Sequence, residues 1–243
     1  MEGILRCSRY SFGPNRLHYC GPDANAELHD YIDSGGSDPG LSQLLQQFQT
    51  LYPYLQHIAR ANDIIDPFDA RVVEAYWLGN ALLENVGKQK LHRFLIDDLG
   101  IKDKLPSKDF SWLEEKIGQG AVPHHSFHVM NIWRRTGNMD VPHTLESMDE
   151  CRVSAGSVTA VSGPSITVTY EPLIYQNGKL ALGAPVEKKL TRQLEAEYDI
   201  EQIKPGALVS IHWSVPCEVI TKEQAMRLRT YTLKNIAFAN QTI

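Results

Sequence analysis

An α+β chain, with an N-terminal α-helical domain followed by a small closed β-barrel and a terminal helix, is predicted by three features of the sequence. Apolar residues recur at helical spacing across the first half. Alternation replaces that period after residue 150. A capping signature then opens one last helix near the C-terminus. These changes of pattern divide the chain into a helical domain over 1–120, a His-rich connector over 121–150, and a barrel with its terminal helix over 151–243.

The first 23 residues, with Gly13-Pro14 and Gly21-Pro22, predict an irregular, turn-rich segment pinned to a core by Tyr and Phe side chains. Leu41, Leu44, Leu45, Phe48, Leu51, Leu55 and Ile58 then follow the i, i+3, i+4 rule, with Pro53 starting or kinking a helix. Asp66 reads as an N-cap with Pro67 at the first helical position. The helix it opens carries Val72, Val73, Tyr76, Trp77, Leu82 and Val86, apolar nearly all round, and is expected at the centre of the domain. Shorter helices are expected over Lys90–Leu99, stopped by Gly100, and around Trp112–Ile117. The connector holds one short element around Phe127–Trp133. Strands are expected over Val153–Val161 and Ile166–Tyr170. Asn177-Gly178 is a type I′ hairpin signal between Leu173–Tyr175 and Leu180–Leu182. Pro205-Gly206 turns into Leu208–Ile211, and Thr221 with Gln224 forms a capping box for a helix over 222–239. A run of short strands without a free edge suggests barrel closure.

The 24 basic and 29 acidic residues give a net charge of −5, and no dense Lys/Arg tract occurs. Nucleic acid is therefore not an expected partner. The start does not read as a signal peptide, and no apolar run approaches the ~20 residues of a membrane span. A cytoplasmic protein with reduced thiols is expected. The four cysteines contain no Cys-x-x-Cys pair. No P-loop, Rossmann glycine fingerprint, Gly-x-Ser-x-Gly or His-Glu-x-x-His occurs either, which removes the common nucleotide-binding and hydrolase signatures.

Two residues stand out for chemistry. Cys151 opens Cys151-Arg-Val-Ser-Ala-Gly156-Ser-Val158, expected to lead into a strand. His212 ends the strand of Val209-Ser-Ile-His212. A thiol and an imidazole brought together can bind a soft metal or perform nucleophilic chemistry. With the Pro205-Gly206 turn and the capped last helix, these tracts resemble the HypC/HupF family of hydrogenase-assembly chaperones over residues ~150–240. The resemblance implies an OB-like barrel whose cysteine and histidine, here Cys151 and His212, hold an iron carrying cyanide and carbon monoxide (an Fe(CN)2CO-type fragment). It implies partners among the maturation proteins and the hydrogenase large subunit, and an accessory role rather than an enzyme. The chain departs from the family pattern in its internal cysteine, in Ala155 at the turn proline, and in 150 preceding residues. The whole chain also resembles an uncharacterised bacterial family, DUF6390-like, through Tyr10-Ser-Phe-Gly-Pro14-Asn15 and Tyr19-Cys20-Gly21-Pro22.

Pro123-His124-His125-Ser-Phe-His128 is the densest histidine cluster, with Asp140 and His143 in the loop beyond it. On a helix His124, His125 and His128 share a face, which suits a metal-dependent enzyme at the domain junction. Cys20 is a further candidate thiol in a tight turn. A non-catalytic adaptor that keeps only protein binding is the third alternative.

Overall fold

The computed structural model describes residues 1–136, 143–192 and 203–243. Helices α1 (Gly3–Arg16), α2 (Asn25–Ser34), α3 (Pro39–Gln46), α4 (Leu51–Ala61) and α5 (Ala70–Trp77) come first. They are followed by α6 (Lys88–Arg93, widening into a π-helical turn over Phe94–Asp98), α7 (Ile101–Lys104) and α8 (Ser107–Gly118). Helix α9 begins at His125–Phe127, widens over His128–Trp133 and ends at Arg134–Thr136. Helix α10 spans Leu145–Cys151. Strands β1 (Ser154–Ser162), β2 (Ser165–Tyr170), β3 (Leu173–Gln176), β4 (Lys179–Leu182), β5 (Val186–Thr191), β6 (Leu208–His212) and β7 (Val215–Ile220) precede the last helix, α11 (Lys222–Ala239).

The N-terminal segment is a helix, not the irregular stretch its glycines and prolines suggest. Helix α1 contains Pro14, and Leu5, Cys7, Tyr10 and Phe12 are buried along it. Proline has no N–H to donate to the carbonyl four residues earlier, which here is Tyr10. That carbonyl oxygen is taken instead by His212 Nδ1 at 2.7 Å. A long-range partner thus offsets the local defect, and a sequence window cannot display it. The cap of α5 is likewise shifted: Asp69, not Asp66, accepts from the backbone of its first turn, while Asp66 caps the turn before it. Helix α5 is shorter than expected because Gly79 takes φ +85° beneath the Tyr231 ring and ends it.

The strands form an open antiparallel sheet in the order β5-β2-β1-β6-β7, with β3-β4 as a separate hairpin. The expected barrel does not close. Strands β5 and β7 stay unpaired at the two edges of the sheet, and α1 packs on β6 and β7. The β6–β7 register skips Cys217, a bulge that leaves a carbonyl to be paired elsewhere; Arg9 Nε donates to it. Beside that contact Glu218 accepts from Arg6 Nε at 3.1 Å and from the Tyr10 hydroxyl at 2.8 Å. Strand β5, which carries Val186 and Leu190, was not foreseen.

Asn177-Gly178 makes the β3–β4 hairpin, with both residues at positive φ. The Thr221–Gln224 capping box is complete, at 2.9 and 3.1 Å. The largest apolar core runs without a break from the helices into Val153, Val215, Cys217, Ile220, Leu228 and Phe238. A second cluster packs Val129, Met130, Trp133, Met148, Cys151 and Trp213 with the β3–β4 hairpin and α11. Among the described residues no helix is long and apolar enough to cross a membrane.

The seam between α1 and the β6–β7 turn is tight. A Cβ on Gly13 would lie 2.8 Å from the His212 carbonyl oxygen and 3.0 Å from Trp213 Cβ. Gly13→Ala is therefore expected to cost about 1–3 kcal/mol of stability. Gly118, whose Cβ would meet nothing within 4 Å, is the matched control: Gly118→Ala should be neutral or stabilise by about 0.4–1 kcal/mol. Urea midpoints read both, and equal midpoints for Gly13→Ala and the parent would overturn this account of the seam.

Candidate metal centre

Three elements converge on one point. Cys151 is the last residue of α10 rather than the start of a strand: Thr144 caps the start of that helix by accepting from Ser147 N at 3.1 Å, and the chain turns extended at Arg152. His125 opens α9, and His212 ends β6. The donor atoms of His125, Cys151 and His212 all lie within 4.8 Å of one another, and all three residues are buried. Cys151 Sγ is 3.8 Å from His125 Nε2. The two rings meet edge to face at 5.2 Å, with Trp77 tilted 4.5 Å from His125 and 5.2 Å from His212. Around a tetrahedral ion, metal–sulfur and metal–nitrogen bonds of about 2.3 and 2.1 Å set the donors about 3.4–3.6 Å apart. A contraction of up to about 1 Å would therefore bring all three donors onto one ion.

The backbone ties the ligand-bearing segments together. Trp213 N donates to the Glu150 carbonyl at 2.8 Å, and the Ser214 hydroxyl donates to the Glu150 carboxylate, also at 2.8 Å. This joins the residue before Cys151 to the residue after His212. The Trp213-Ser214 turn holds both residues at left-handed φ, 50° and 58°. A tryptophan there is unusual, since β-hairpin turns of this kind favour Asn and Gly. Trp213 stacks on Tyr19 at 4.2 Å and so fixes the Tyr19-Cys20 turn against the site.

Hydrogen bonds assign the tautomers. His212 Nδ1 donates to the Tyr10 carbonyl, so Nε2 presents a lone pair; that atom is buried without a well-formed hydrogen bond, and the Cys151 backbone lies beside the ring. His125 Nε2 donates to the Cys151 carbonyl at 2.8 Å while Nδ1 faces the Tyr76 hydroxyl at 3.0 Å. Moving the proton to Nδ1, with Tyr76 as acceptor, frees Nε2 as a donor to a metal. In that state both imidazoles would carry the outer hydrogen bond that metal-ligating histidines normally make. Burial, then the neighbouring His212, lowers the His125 pKa well below its usual range; burial lowers His212 to about 4. Both rings are therefore neutral near pH 7, the form that coordinates. Burial raises the Cys151 thiol, partly opposed by the Trp213 indole, so the free thiol is protonated and metal binding would release its proton.

The group opens on a cleft of about 800 Å³, walled by the 46–51 segment and by Trp133, Trp213 and Tyr19. His128 and Cys20 also line it. Neither joins the convergent group among the described residues: His128 Nδ1 faces the Tyr54 hydroxyl at 3.3 Å, and Cys20 lines the cleft without being one of the three donors. His124 turns away. Its Nδ1 caps α9 by accepting from Ser126 N at 3.1 Å, and its ring stacks on Tyr231 at 5.0 Å. The three clustered histidines thus do not share a site, because the chain at His124 is extended and the helix begins only after it. His143 packs on Trp133 at 3.8 Å and bonds the Val129 carbonyl. Asp140 lies outside the described residues. Sequence reasoning missed Tyr76, Tyr10 and Trp213 as the groups that orient the site; Tyr76 and Trp77 read only as helix core.

His57, His124 and His128 sit outside the triad and are held neutral by burial, at about 4, 3 and 3 against the ordinary 6.5. A depressed folded pKa means the unfolded chain binds these protons first. The associated stability is complete above pH 6.5 and is lost as pH falls toward 4, by up to ~1.4 kcal/mol per pH unit for each fully buried ring. Urea midpoints should fall steeply between pH 6.5 and 4.5. A flat profile there would show that these rings are not held neutral.

No curated protein and no solved structure matches the chain. None of the comparisons supports the HypC/HupF resemblance, and the open sheet departs from its barrel. A family model does match, over residues 1–243, so the chain belongs throughout its length to the family described as "Family of unknown function (DUF6390)".

Proposed function

We infer that this is a metal-holding accessory protein in which Cys151, His125 and His212 bind one soft or borderline first-row metal ion as cargo. The observation that carries this reading is the convergence of three buried donors within 4.8 Å, with His212 Nε2 left without a well-formed hydrogen bond. A lone pair left unpaired in a buried site costs about 1–3 kcal/mol, and a metal would remove that cost. One thiolate and two neutral imidazoles suit iron, zinc or copper rather than magnesium or calcium. Three protein ligands leave coordination positions open toward the cleft, as transfer requires.

In its most specific form the cargo is an Fe(CN)2CO-type fragment, and the recipient is a [NiFe]-hydrogenase large subunit with other maturation proteins. That form draws on the Cys151/His212 motif; the metal-holding reading draws on the geometry. A second reading, metal-dependent catalysis, is favoured by the cleft volume, which exceeds what an ion with small ligands needs. Of the three clustered histidines it would use only His125.

Anaerobic purification with metal analysis and infrared spectroscopy tests the proposal. The expected result is about one equivalent of a first-row metal, lost in Cys151→Ala and His212→Ala and retained in the exposed control His92→Ala. CO and CN stretches that vanish in Cys151→Ala would mark the iron fragment. Wild type that remains metal-free after reconstitution with iron, zinc and cobalt would refute the metal-holding reading. Urea midpoints of the variants separate ligand loss from unfolding.

The Pro14 defect gives a subtler test. Pro14→Ala supplies an N–H that competes with His212 Nδ1 for the Tyr10 carbonyl. Loss of such an outer hydrogen bond typically weakens metal binding ~10–100-fold, and the lower end is expected here by competitive titration. Unchanged affinity would show that Tyr10 does not orient the ligand.

A further inference from the structure

The charge around the triad is unbalanced. A divalent ion with one thiolate and two neutral imidazoles keeps a net charge of +1 in a buried, aromatic-walled site. Uncompensated charge there is costly. Among the described residues the cleft is lined by no aspartate or glutamate, although the chain has 29 acidic residues. Its one lysine, Lys104, adds positive charge and donates to the Leu99 carbonyl at 2.9 Å. Glu150 is near in sequence, but Lys188 and Ser214 engage its carboxylate.

The compensating anion must therefore arrive as the fourth ligand, from the cleft side. Trp77, Trp213 and Tyr76 wall the inner end. A strongly hydrated carboxylate or phosphate loses more on entering such a space than a soft, weakly hydrated donor does. Soft donors also match an ion already bound by sulfur.

We propose that a second thiolate completes the coordination of this site, giving a neutral two-sulfur, two-imidazole centre; this rests on Cys151, His125 and His212 being metal ligands. The same chemistry has two sources. One is Cys20, half-buried in the lining of the same cleft and close enough to Cys151 to act on its thiol. Its backbone is fixed, since Asn15 Nδ2 donates to the Cys20 carbonyl at 2.9 Å and the Gly21 φ of +84° sets the chain against the Phe48 ring. Side-chain rotation, with local adjustment of the turn, would carry the sulfur inward. The other source is a thiol from outside, entering through the open cleft. Binding either thiol exchanges its proton for a metal–sulfur bond, with no redox change.

Cobalt(II) loaded into the full chain reads the number of bound thiolates through the sulfur-to-cobalt charge-transfer band, with 2-mercaptoethanol as the external probe. If Cys20 is the source, wild type shows a two-thiolate band that falls by about half in Cys20→Ala and returns when 2-mercaptoethanol is added. If the source is external, wild type and Cys20→Ala both start with a one-thiolate band, and the probe doubles it in each. A one-thiolate band in wild type that the probe leaves unchanged overturns the proposal while leaving the triad intact as a metal site. Failure of wild type to retain cobalt at all overturns the metal-holding reading instead. Titration of wild type with the probe does not depend on any variant folding.

Discussion

The hydrogen bond from His212 Nδ1 to the Tyr10 carbonyl oxygen organises this molecule. It exists because Pro14 cannot use that carbonyl. It joins the first helix to a central strand 202 positions away. It also leaves the other ring nitrogen of His212 as a lone pair within the Cys151/His125 group. The helix is held on the β6–β7 pair by His212, by Arg9 on the Cys217 bulge, and by Glu218. A local weakness in one element thus fixes the tautomer of a candidate ligand and the seating of the first helix on the sheet.

Much of the fold was legible in the sequence where the signal was local. The Asn177-Gly178 hairpin, the Thr221–Gln224 box, the Gly100 stop and the helical period through Leu41–Ile58 all depend on neighbours within a few positions, and all appear where the sequence places them. Reading failed where a distant partner decided. Gly13 and Pro14 normally mark a turn, yet the burial of α1 and the bond from His212 outweigh their helix-breaking tendency. Cys151 reads as a strand opener because Val153 follows it; the helix that reaches it starts at the Thr144 cap, outside that window, and ends where Arg152 turns extended. Strand β5 escaped notice because Glu187, Lys188 and Lys189 mask its alternation, as charged residues on an edge strand commonly do.

Legibility of the site followed the same rule. Cys151 and His212 could be singled out by residue type and local motif, and the structure brings them together. His125 was one of three equal candidates; the helix start separates it from His124, and the Tyr54 hydroxyl holds His128 apart. Tyr10 and Tyr76 carried no chemical signal in sequence, since their hydroxyl or carbonyl roles depend wholly on what packs against them. The charge imbalance of the cleft is visible only once the lining is known.

The spacing of the three donors has a consequence for how the protein comes into being. His125 and Cys151 are 26 residues apart, and His212 is positioned by a residue at the other end of the chain. In small zinc modules the ligands are neighbours, and the ion can gather them before the rest has folded. Here the donors meet only after helix, connector and sheet have docked, so the pocket is a late product of folding with a high entropic cost of assembly. An ion bound at that point would act on the finished tertiary structure and slow its opening. The cleft would still give the ion its own way out while the first helix and the sheet stay docked, so residence time would be set by ligand exchange and not by unfolding.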